Sequence, residues 1–223
     1  MTTRPLVIFG TGIVAEVITC EFLKQGVPIA AYVVDDENYE FDCFLDKPVI
    51  SISSFKTKYP PQNYDAFVAI GYHSLNKLRS SKIAEIRELG YKLISCLPDG
   101  NRSRYQRLEN TYISTEAVVQ PKAEIGNNCF IWGGAIIGHH SKLGDNNWVS
   151  GGAIIGGCCI IGESSFFGLG SIISDTVQIG NNCLVGAKSF LSSGAKDNQV
   201  YLESQTETAR LTVSQFLRIS RSF

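Results

Sequence analysis

Between residues 113 and 191 the chain carries a branched aliphatic or aromatic residue at every sixth position. Fourteen such positions keep the phase without a slip, from Ile113 to Leu191. Four residues after each of them stands a small or compact side chain, such as Ala135 or Cys159. An α-helix repeats every 3.6 residues and a plain strand every two, so neither produces this period. The pattern predicts a solenoid in which each repeat buries its apolar face on the next.

A second period of eighteen residues lies on the first. The segment GGAIIG at residues 133–138 recurs at 151–156, and IGNNC at 125–129 recurs fifty-four residues later at 179–183. Three hexads per turn predict a coil with three flat sides, in which the first and fifth residues of each hexad point inward. These hexads resemble those of the hexapeptide-repeat acyltransferases, across about a third of the chain. The resemblance implies a left-handed parallel β-helix.

Apolar strand patterns alternate with helical patterns over residues 1–100. Strands are predicted at 6–9, 28–34, 49–51, 66–70 and 92–96, and helices from 13 to about 25 and from about 74 to 89. Such alternation is typical of a small Rossmann-like parallel α/β sheet. The polar stretch 101–110 is interpreted as a linker or as an irregular first edge of the coil.

Near the C-terminus a helical pattern predicts a cap over the open end of the coil, since an uncovered coil would expose strand edges. Its apolar positions are Leu211, Val213, Phe216, Leu217 and Ile219. The predicted domains are therefore 1–100 (Rossmann-like α/β), 101–197 (β-helix) and 198–223 (C-terminal cap).

A glycine-rich turn follows the first predicted strand. In Gly10-x-Gly12-x-x-Ala15 the glycines allow close backbone approach, and the following helix N-terminus favours an anion. Asp35 ends the next strand, where an acidic residue can accept ribose hydroxyls. The alternative is that the glycines only permit a tight turn. The segment is too short for two mononucleotide halves, so a mononucleotide is the better prediction.

The order of an α/β segment before a hexapeptide β-helix narrows the resemblance. The whole chain resembles sugar acetyltransferases of bacterial glycan biosynthesis that act on nucleotide-linked amino sugars, and is similar to sialic acid O-acetyltransferases. The resemblance implies acetyl-CoA as cosubstrate, no metal, and a homotrimer with active sites between subunits. The residues expected to border the nucleotide-sugar are Gly10, Thr11, Gly12, Asp35, Asp36, Gly71, Tyr72 and His73. Those expected to line the acetyl-CoA groove are Trp148, Gly156, Gly157, Gly168, Leu169, Gly186 and Ala187.

Two adjacent histidines occupy the hexad that begins at Ile137. By composition alone they are exposed turn residues, but the family's general-base histidine falls on His139. An amine attacking a thioester must lose a proton, and histidine titrates near neutrality. The family commonly has a carboxylate after this histidine; here His140 is the candidate orienting partner, with Asp145 or Asn146 as alternatives. The glycine pairs at 151–152 and 156–157 are candidate oxyanion donors.

Composition excludes several other classes of function. Twenty basic and twenty-one acidic residues give a net charge of −1, which argues against nucleic acid as a partner. No segment has the ~18 predominantly apolar residues of a membrane span. Seven cysteines without metal-ligand spacing argue against a zinc site or a disulfide framework and favour a reduced, cytoplasmic protein.

Together these expectations describe an N-acetyltransferase that uses acetyl-CoA and a dTDP- or UDP-linked amino-dideoxy sugar, in bacterial surface glycan (lipopolysaccharide O-antigen) biosynthesis. Two alternatives stay open. One is a sugar O-acetyltransferase of the sialic acid type, and the other is a non-catalytic nucleotide-sugar-binding protein.

Overall fold

The computed structural model describes residues 4–204 and 212–220. The first hundred residues form a five-stranded sheet in the order β3-β4-β2-β1-β5, parallel except where β3 meets β4. Its strands are β1 (Leu6–Phe9), β2 (Ile29–Val34), β3 (Cys43–Phe44), β4 (Lys47–Ser51) and β5 (Asp65–Val68). The helices of this part are α1 (Ile13–Lys24), α2 (Ile52–Lys58), α3 (Lys77–Glu88) and α4 (Asp99–Tyr105). The α/β prediction is confirmed.

A triangular β-helix follows, and its three sheets are entirely parallel. Face 1 contains β7, β10, β13, β16 and β19; face 2 contains β8, β11, β14 and β17; face 3 contains β6, β9, β12, β15, β18 and β20. The strands are β6 (Tyr112–Ile113), β7 (Val118–Val119), β8 (Glu124–Ile125), β9 (Phe130–Ile131), β10 (Ile136–Ile137), β11 (Lys142–Leu143), β12 (Trp148–Val149), β13 (Ile154–Ile155), β14 (Ile160–Ile161), β15 (Phe166–Phe167), β16 (Ile172–Ile173), β17 (Gln178–Ile179), β18 (Leu184–Val185), β19 (Phe190–Leu191) and β20 (Val200–Tyr201).

The register of this β-helix confirms the period of eighteen. Ile136 pairs with Ile154 and Ile154 with Ile172, each eighteen residues on. All of the first and fifth hexad residues from 113 to 195 are buried, apart from the half-buried Val119 and Ala117 of the first coil. The interior is therefore a single column of apolar side chains interspersed with small polar ones, and the predicted β-helix is confirmed.

Two segments differ from the sequence-based expectation. Residues 92–96 do not form a strand; Leu93 makes one parallel bridge to Ala66 of the N-terminal sheet, and Cys96 makes one to Tyr112 of the first coil. The segment therefore joins the two sheets rather than extending either. The polar stretch after residue 98 begins as the helix α4, whose Tyr105 hydroxyl donates to the carbonyl oxygen of Ala123 at 2.6 Å. Its polar side chains concealed this helix.

The last helix, α5 (Val213–Ser220), lies within the predicted C-terminal cap. Leu211 and the side chains of Phe216, Leu217 and Ile219 lie outside the described residues, so the capping role stays a prediction. Within the described ranges no helix is long and apolar enough to cross a bilayer.

The N-terminal sheet packs on the outer side of face 3 through aromatic rings. Phe67 of β5 meets Phe130 at a centroid distance of 5.8 Å, and Phe130 stacks on Trp148 at 5.3 Å. These rings belong to the same buried cluster as Leu6, Ile8 and other core residues of the sheet. The outer side of face 3 is apolar for this reason, although the hexad pattern constrains only inward positions.

A buried arginine completes this contact. Arg79 of α3 is fully buried, and its guanidinium lies 4.4 Å from the Phe130 ring centroid. It donates to the side-chain oxygen of Asn128 at 2.8 Å and to the carbonyl oxygens of Ile70 and Gly71 at 3.3 and 3.2 Å. Burial lowers the pKa of Arg79 to about 9, which leaves it protonated near neutral pH. This cation therefore ties the loop after β5 to the β-helix.

Replacing Arg79 by methionine is expected to destabilise the protein by about 3 kcal/mol, because buried acceptors lose their donor. The matched control is Arg87→Met on the same helix. Arg87 pairs with Glu109 while more than half of its side chain is exposed, so a change within about 0.5 kcal/mol is expected. Chemical denaturation of both variants measures the difference. Equal losses of unfolding free energy in the two variants would show that Arg79 does not tie the loop to the β-helix.

Candidate active site

A large cavity lies at the carboxyl edge of the N-terminal sheet, and we call it the glycine-loop cavity. Its volume is about 810 Å³. Seven of the eight residues predicted to border a nucleotide-sugar line it: Gly10, Thr11, Gly12, Asp35, Gly71, Tyr72 and His73. Asp36 does not. Its carboxylate instead accepts the backbone N–H of Ser53, which lowers its pKa.

The turn that borders this cavity requires a glycine at position 10. Gly10 has a φ of +112°, and a Cβ there would lie 3.0 Å from the carbonyl oxygen of Ala69. Helix α1 begins directly afterwards; its N-cap Gly12 provides no side-chain hydrogen bond, and Ile13 and Val14 line the cavity. The N–H groups of a helix's first turn lack intrahelical acceptors, and the helix dipole favours negative charge there. The turn is therefore suited to a phosphate group.

Asp35 reaches the same cavity and is held from behind. Lys82 of α3 forms an ion pair with its Oδ1 and a second one with Glu85 at 2.8 Å. Both side chains of the Asp35–Lys82 pair are more than four-fifths buried, so the carboxylate has a fixed orientation. A fixed carboxylate in this place can accept hydrogen bonds from the hydroxyls of a ribose.

A second cavity, which we call the aromatic cavity, opens where face 3 turns into face 1. It has a volume of about 540 Å³ and is mostly apolar. The residues that line it are Tyr72, Trp132, Gly133, Trp148, Ser150, Gly151, Phe166, Gly168, Leu169 and Ala187. Four of these, Trp148, Gly168, Leu169 and Ala187, were predicted to line the acetyl-CoA groove. Tyr72 and Trp148 line both cavities and contact each other at a centroid distance of 5.2 Å.

The aromatic cavity presents a column of unpaired donors. At the other two corners of the prism, side chains of an adjacent coil accept several of the turn N–H groups, as Asp145 accepts that of Asn127 at 2.7 Å. Within the part of the chain that the structure describes, no acceptor meets the N–H groups of Gly133, Gly151, Leu169 or Ala187. The buried indole N–H of Trp132 also lacks an acceptor there. Such donors are suited to a ligand that carries several amide carbonyl groups.

The two histidines lie elsewhere, on the turn between face 1 and face 2, which we call the histidine corner. His139 and His140 are exposed, and their Nδ1 atoms are 3.1 Å apart. The backbone N–H of His139 donates to the side-chain oxygen of Gln120 at 2.9 Å. A Cβ at Gly157 would lie 2.8 Å from the His139 ring, so this glycine makes room for the imidazole. Neither histidine lines the glycine-loop or the aromatic cavity.

The remaining predicted cofactor residues divide between two corners. Gly156 and Gly157 lie at the histidine corner, directly beneath Gly138 and His139. Gly186 lies beside Ala187 at the far end of the coil, where a Cβ would meet Leu202 at 2.9 Å. One chain therefore does not bring all seven residues into one groove.

The predicted oxyanion donors are largely engaged within the protein. The N–H of Gly152 donates to Gly133 at 3.2 Å, that of Gly156 to Ile173 at 2.9 Å, and that of Gly157 to the carboxylate of Asp175 at 2.5 Å. Of the four glycines, Gly151 alone has an N–H that meets no acceptor in the described residues, and it lies in the aromatic cavity. Sequence reasoning missed Tyr72 and Trp148 as a shared wall and Trp132 as a donor, because outward positions follow no period.

Comparison with solved structures places the fold among acetyltransferases. A histidine-to-asparagine mutant of perosamine N-acetyltransferase from Caulobacter crescentus, in complex with CoA and GDP-perosamine, matches with a TM-score of 0.77. It is 22% identical, and the match covers 92% of this chain and 97% of that one. The acetyltransferase domain of PglB from Neisseria gonorrhoeae, in complex with acetyl coenzyme A, matches with a TM-score of 0.64 and 20% identity, over 89% of this chain and 95% of that one.

No protein-family model matches the chain. No curated protein matches it in sequence either. At identities under 25% the structural matches establish the fold: the chain is built like these acetyltransferases along nearly its whole length, as the sequence resemblance predicted.

Proposed function

We propose that the protein is an N-acetyltransferase that moves the acetyl group of acetyl-CoA onto the amine of a nucleotide-linked amino sugar. The observation that carries the proposal is the meeting of two unlike cavities at Tyr72 and Trp148. One cavity has the turn, helix N-terminus and carboxylate that suit a nucleotide, and the other is apolar with unpaired amide donors. The reacting ends of two long ligands would meet at this shared wall.

The donor side fits the pantetheine arm of CoA. This arm is a flexible chain with two amide groups, whose carbonyl oxygens need donors and whose methylene groups favour apolar contact. The column formed by Gly133, Gly151, Leu169 and Ala187 repeats once per coil, about 4.8 Å apart, the spacing of neighbouring strands. An extended arm lying along this column would satisfy N–H groups that find no acceptor among residues 4–204 and 212–220.

The acceptor side fits a nucleoside diphosphate sugar. Its phosphates would lie at the Gly10–Gly12 turn and its ribose at Asp35, so the sugar would extend toward Tyr72 and Trp148. The solved relative from Caulobacter crescentus is described with GDP-perosamine, an amino sugar linked to a nucleotide. This supports a nucleotide-linked amino sugar as the substrate. An assay of CoA release distinguishes among dTDP, UDP and GDP as the nucleotide.

In the proposed site the base comes from another copy of the chain. His139 lies on the turn between faces 1 and 2, whereas both cavities lie against face 3 of the same prism. A second copy that presents its histidine corner to the aromatic cavity would complete the site and bring Gly157 close to the ligand. Closed threefold assembly gives every chain both roles, which supports the predicted homotrimer.

His140 replaces the family's carboxylate as a neutral acceptor. With the two Nδ1 atoms 3.1 Å apart, the Nδ1–H of His139 can donate to Nδ1 of His140. This tautomer leaves the Nε2 lone pair of His139 free to accept a proton. A neutral imidazole stabilises the resulting imidazolium less than a carboxylate would.

The proposed acetyl transfer then proceeds by attack of the amine on the thioester and release of CoA. The amine nitrogen attacks the thioester carbonyl carbon, and Nε2 of His139 accepts one proton from that nitrogen. The carbon–sulfur bond breaks, CoA leaves as the thiolate, and the imidazolium returns the proton to it. Of the unpaired donors in the aromatic cavity, the N–H of Gly151 is assigned to the oxyanion, and the other three remain for the pantetheine carbonyl groups.

Release of free CoA with a panel of dTDP-, UDP- and GDP-amino sugars tests the activity. The variant His139→Ala is expected to lose about 10²–10⁴-fold in kcat, because it removes the proton acceptor. The matched control is His73→Ala, which is expected to raise KM for the nucleotide-sugar and to keep kcat. A loss of kcat in His73→Ala, with kcat kept in His139→Ala, would assign the role of the base to His73. No turnover with any amine would contradict the proposal, and turnover with hydroxyl acceptors alone would favour the sugar O-acetyltransferase.

Thermal unfolding with nucleoside diphosphates tests the acceptor cavity separately. A ligand that binds only the folded state increases the free energy of unfolding by about 2.7 kcal/mol at a hundredfold excess over Kd, and this increase raises Tm. We expect such an increase with at least one of dTDP, UDP and GDP, and a smaller one in Asp35→Asn. If none of the three raises Tm, this would favour O-acetylation of a free sugar. An increase in Tm without any CoA release would favour the non-catalytic nucleotide-sugar-binding protein.

A further inference from the structure

The histidine corner brings together three side chains that can bind a metal ion. His139, His140 and Cys158 are all exposed, and their ligating atoms lie within 4.8 Å of one another. The Nδ1 nitrogens of the two histidines are 3.1 Å apart. The seven cysteines show no metal-ligand spacing along the chain, because this cluster forms across coils, eighteen residues apart.

The coil repeat fixes this arrangement. His140 and Cys158 occupy equivalent turn positions on successive coils, both in the left-handed region with φ of +59° and +57°. Their Cβ atoms therefore leave the corner in the same direction. The N–H of Cys158 donates to the carbonyl oxygen of His139 at 2.8 Å, which holds the two turns together. Gly157 lacks the Cβ that would push the His139 ring away.

We propose that this cluster, which we call the corner triad, binds Zn²⁺ or a similar soft divalent cation. Two imidazole nitrogens and one thiolate are the donor types that zinc prefers over magnesium or calcium. Zinc bonds of about 2.0–2.3 Å place tetrahedral ligand atoms roughly 3.3–3.7 Å apart. The three side chains are exposed, so they are free to rotate toward this spacing. Cys158 binds as the thiolate and releases its proton, and the fourth position stays open to water.

Metal binding at the corner triad has a consequence for the reaction. When Nδ1 of His139 coordinates zinc, the remaining ring proton lies on Nε2, so Nε2 cannot accept the proton of the attacking amine. The metal-bound protein is therefore inhibited, and removal of the metal restores activity. This consequence rests on the proposed function, whereas the binding site itself does not.

Cobalt(II) titration of the tag-free, metal-free protein tests the site. A cobalt–thiolate bond gives a strong near-ultraviolet charge-transfer band, which Zn²⁺ should abolish by displacing the cobalt. The band is expected in the wild type and in Cys43→Ser, which removes another exposed cysteine, and should be absent in Cys158→Ser. His140→Ala should weaken cobalt binding by more than about tenfold. Absence of the band in the wild type, or its persistence in Cys158→Ser, would overturn the proposal.

CoA release in the presence of zinc tests the consequence. Zn²⁺ should inhibit the wild type and Cys43→Ser equally, and Cys158→Ser should keep its metal-free rate while needing more than about tenfold more zinc for the same inhibition. A cobalt band without inhibition of the wild type confirms the metal site and removes His139 from proton transfer. Failure of the metal site and failure of the proposed base therefore give different results.

Discussion

The interaction on which this structure depends is the parallel hydrogen-bond ladder that stacks each residue on the one eighteen positions later. It acts between backbones, so it copies one turn geometry from coil to coil and leaves outward side chains free to vary. The ladder places His139 above Gly157 and His140 above Cys158. It also aligns the N–H groups at the aromatic cavity that meet no acceptor among the described residues. Each functional feature of the β-helix is thus a column, not a stretch of sequence.

The contact between the N-terminal sheet and face 3 determines where the two cavities meet. Phe130, Trp148 and the buried Arg79 form one stack, and Arg79 holds the carbonyl groups of Ile70 and Gly71. This fixes the loop that carries Tyr72 against Trp148. The same contact places both cavities on a different side of the prism from the histidine corner. Within the described residues the histidine corner does not meet either cavity, and for this reason we propose a site shared by two chains.

The features of the fold that depend on periodic burial of side chains could be predicted from the sequence. The coil, its inward positions and its turns follow from the hexads, and the glycine-loop cavity follows from one strand–turn–helix pattern. The bridging segment at residues 92–96 could not be predicted, because its apolar residues divide between two sheets. The shared wall of Tyr72 and Trp148 was also missed, since the two residues are seventy-six positions apart and neither belongs to the inward pattern. Contacts between parts that are far apart in the sequence leave no period in the chain.

The central claim is that one chain supplies the base and its neighbour supplies the cavities. Co-expression of two differently tagged inactive variants tests it, with His139→Ala as the base variant and Leu169→Glu as the variant that blocks the aromatic cavity. Leu169 is 64% exposed, so its replacement should not disturb the core. Each variant alone should be inactive, whereas randomly mixed trimers should regain activity at roughly a quarter of their sites, where an intact base meets an intact cavity. Mixed trimers that stay as inactive as either parent would place base and cavities in the same chain and contradict this account.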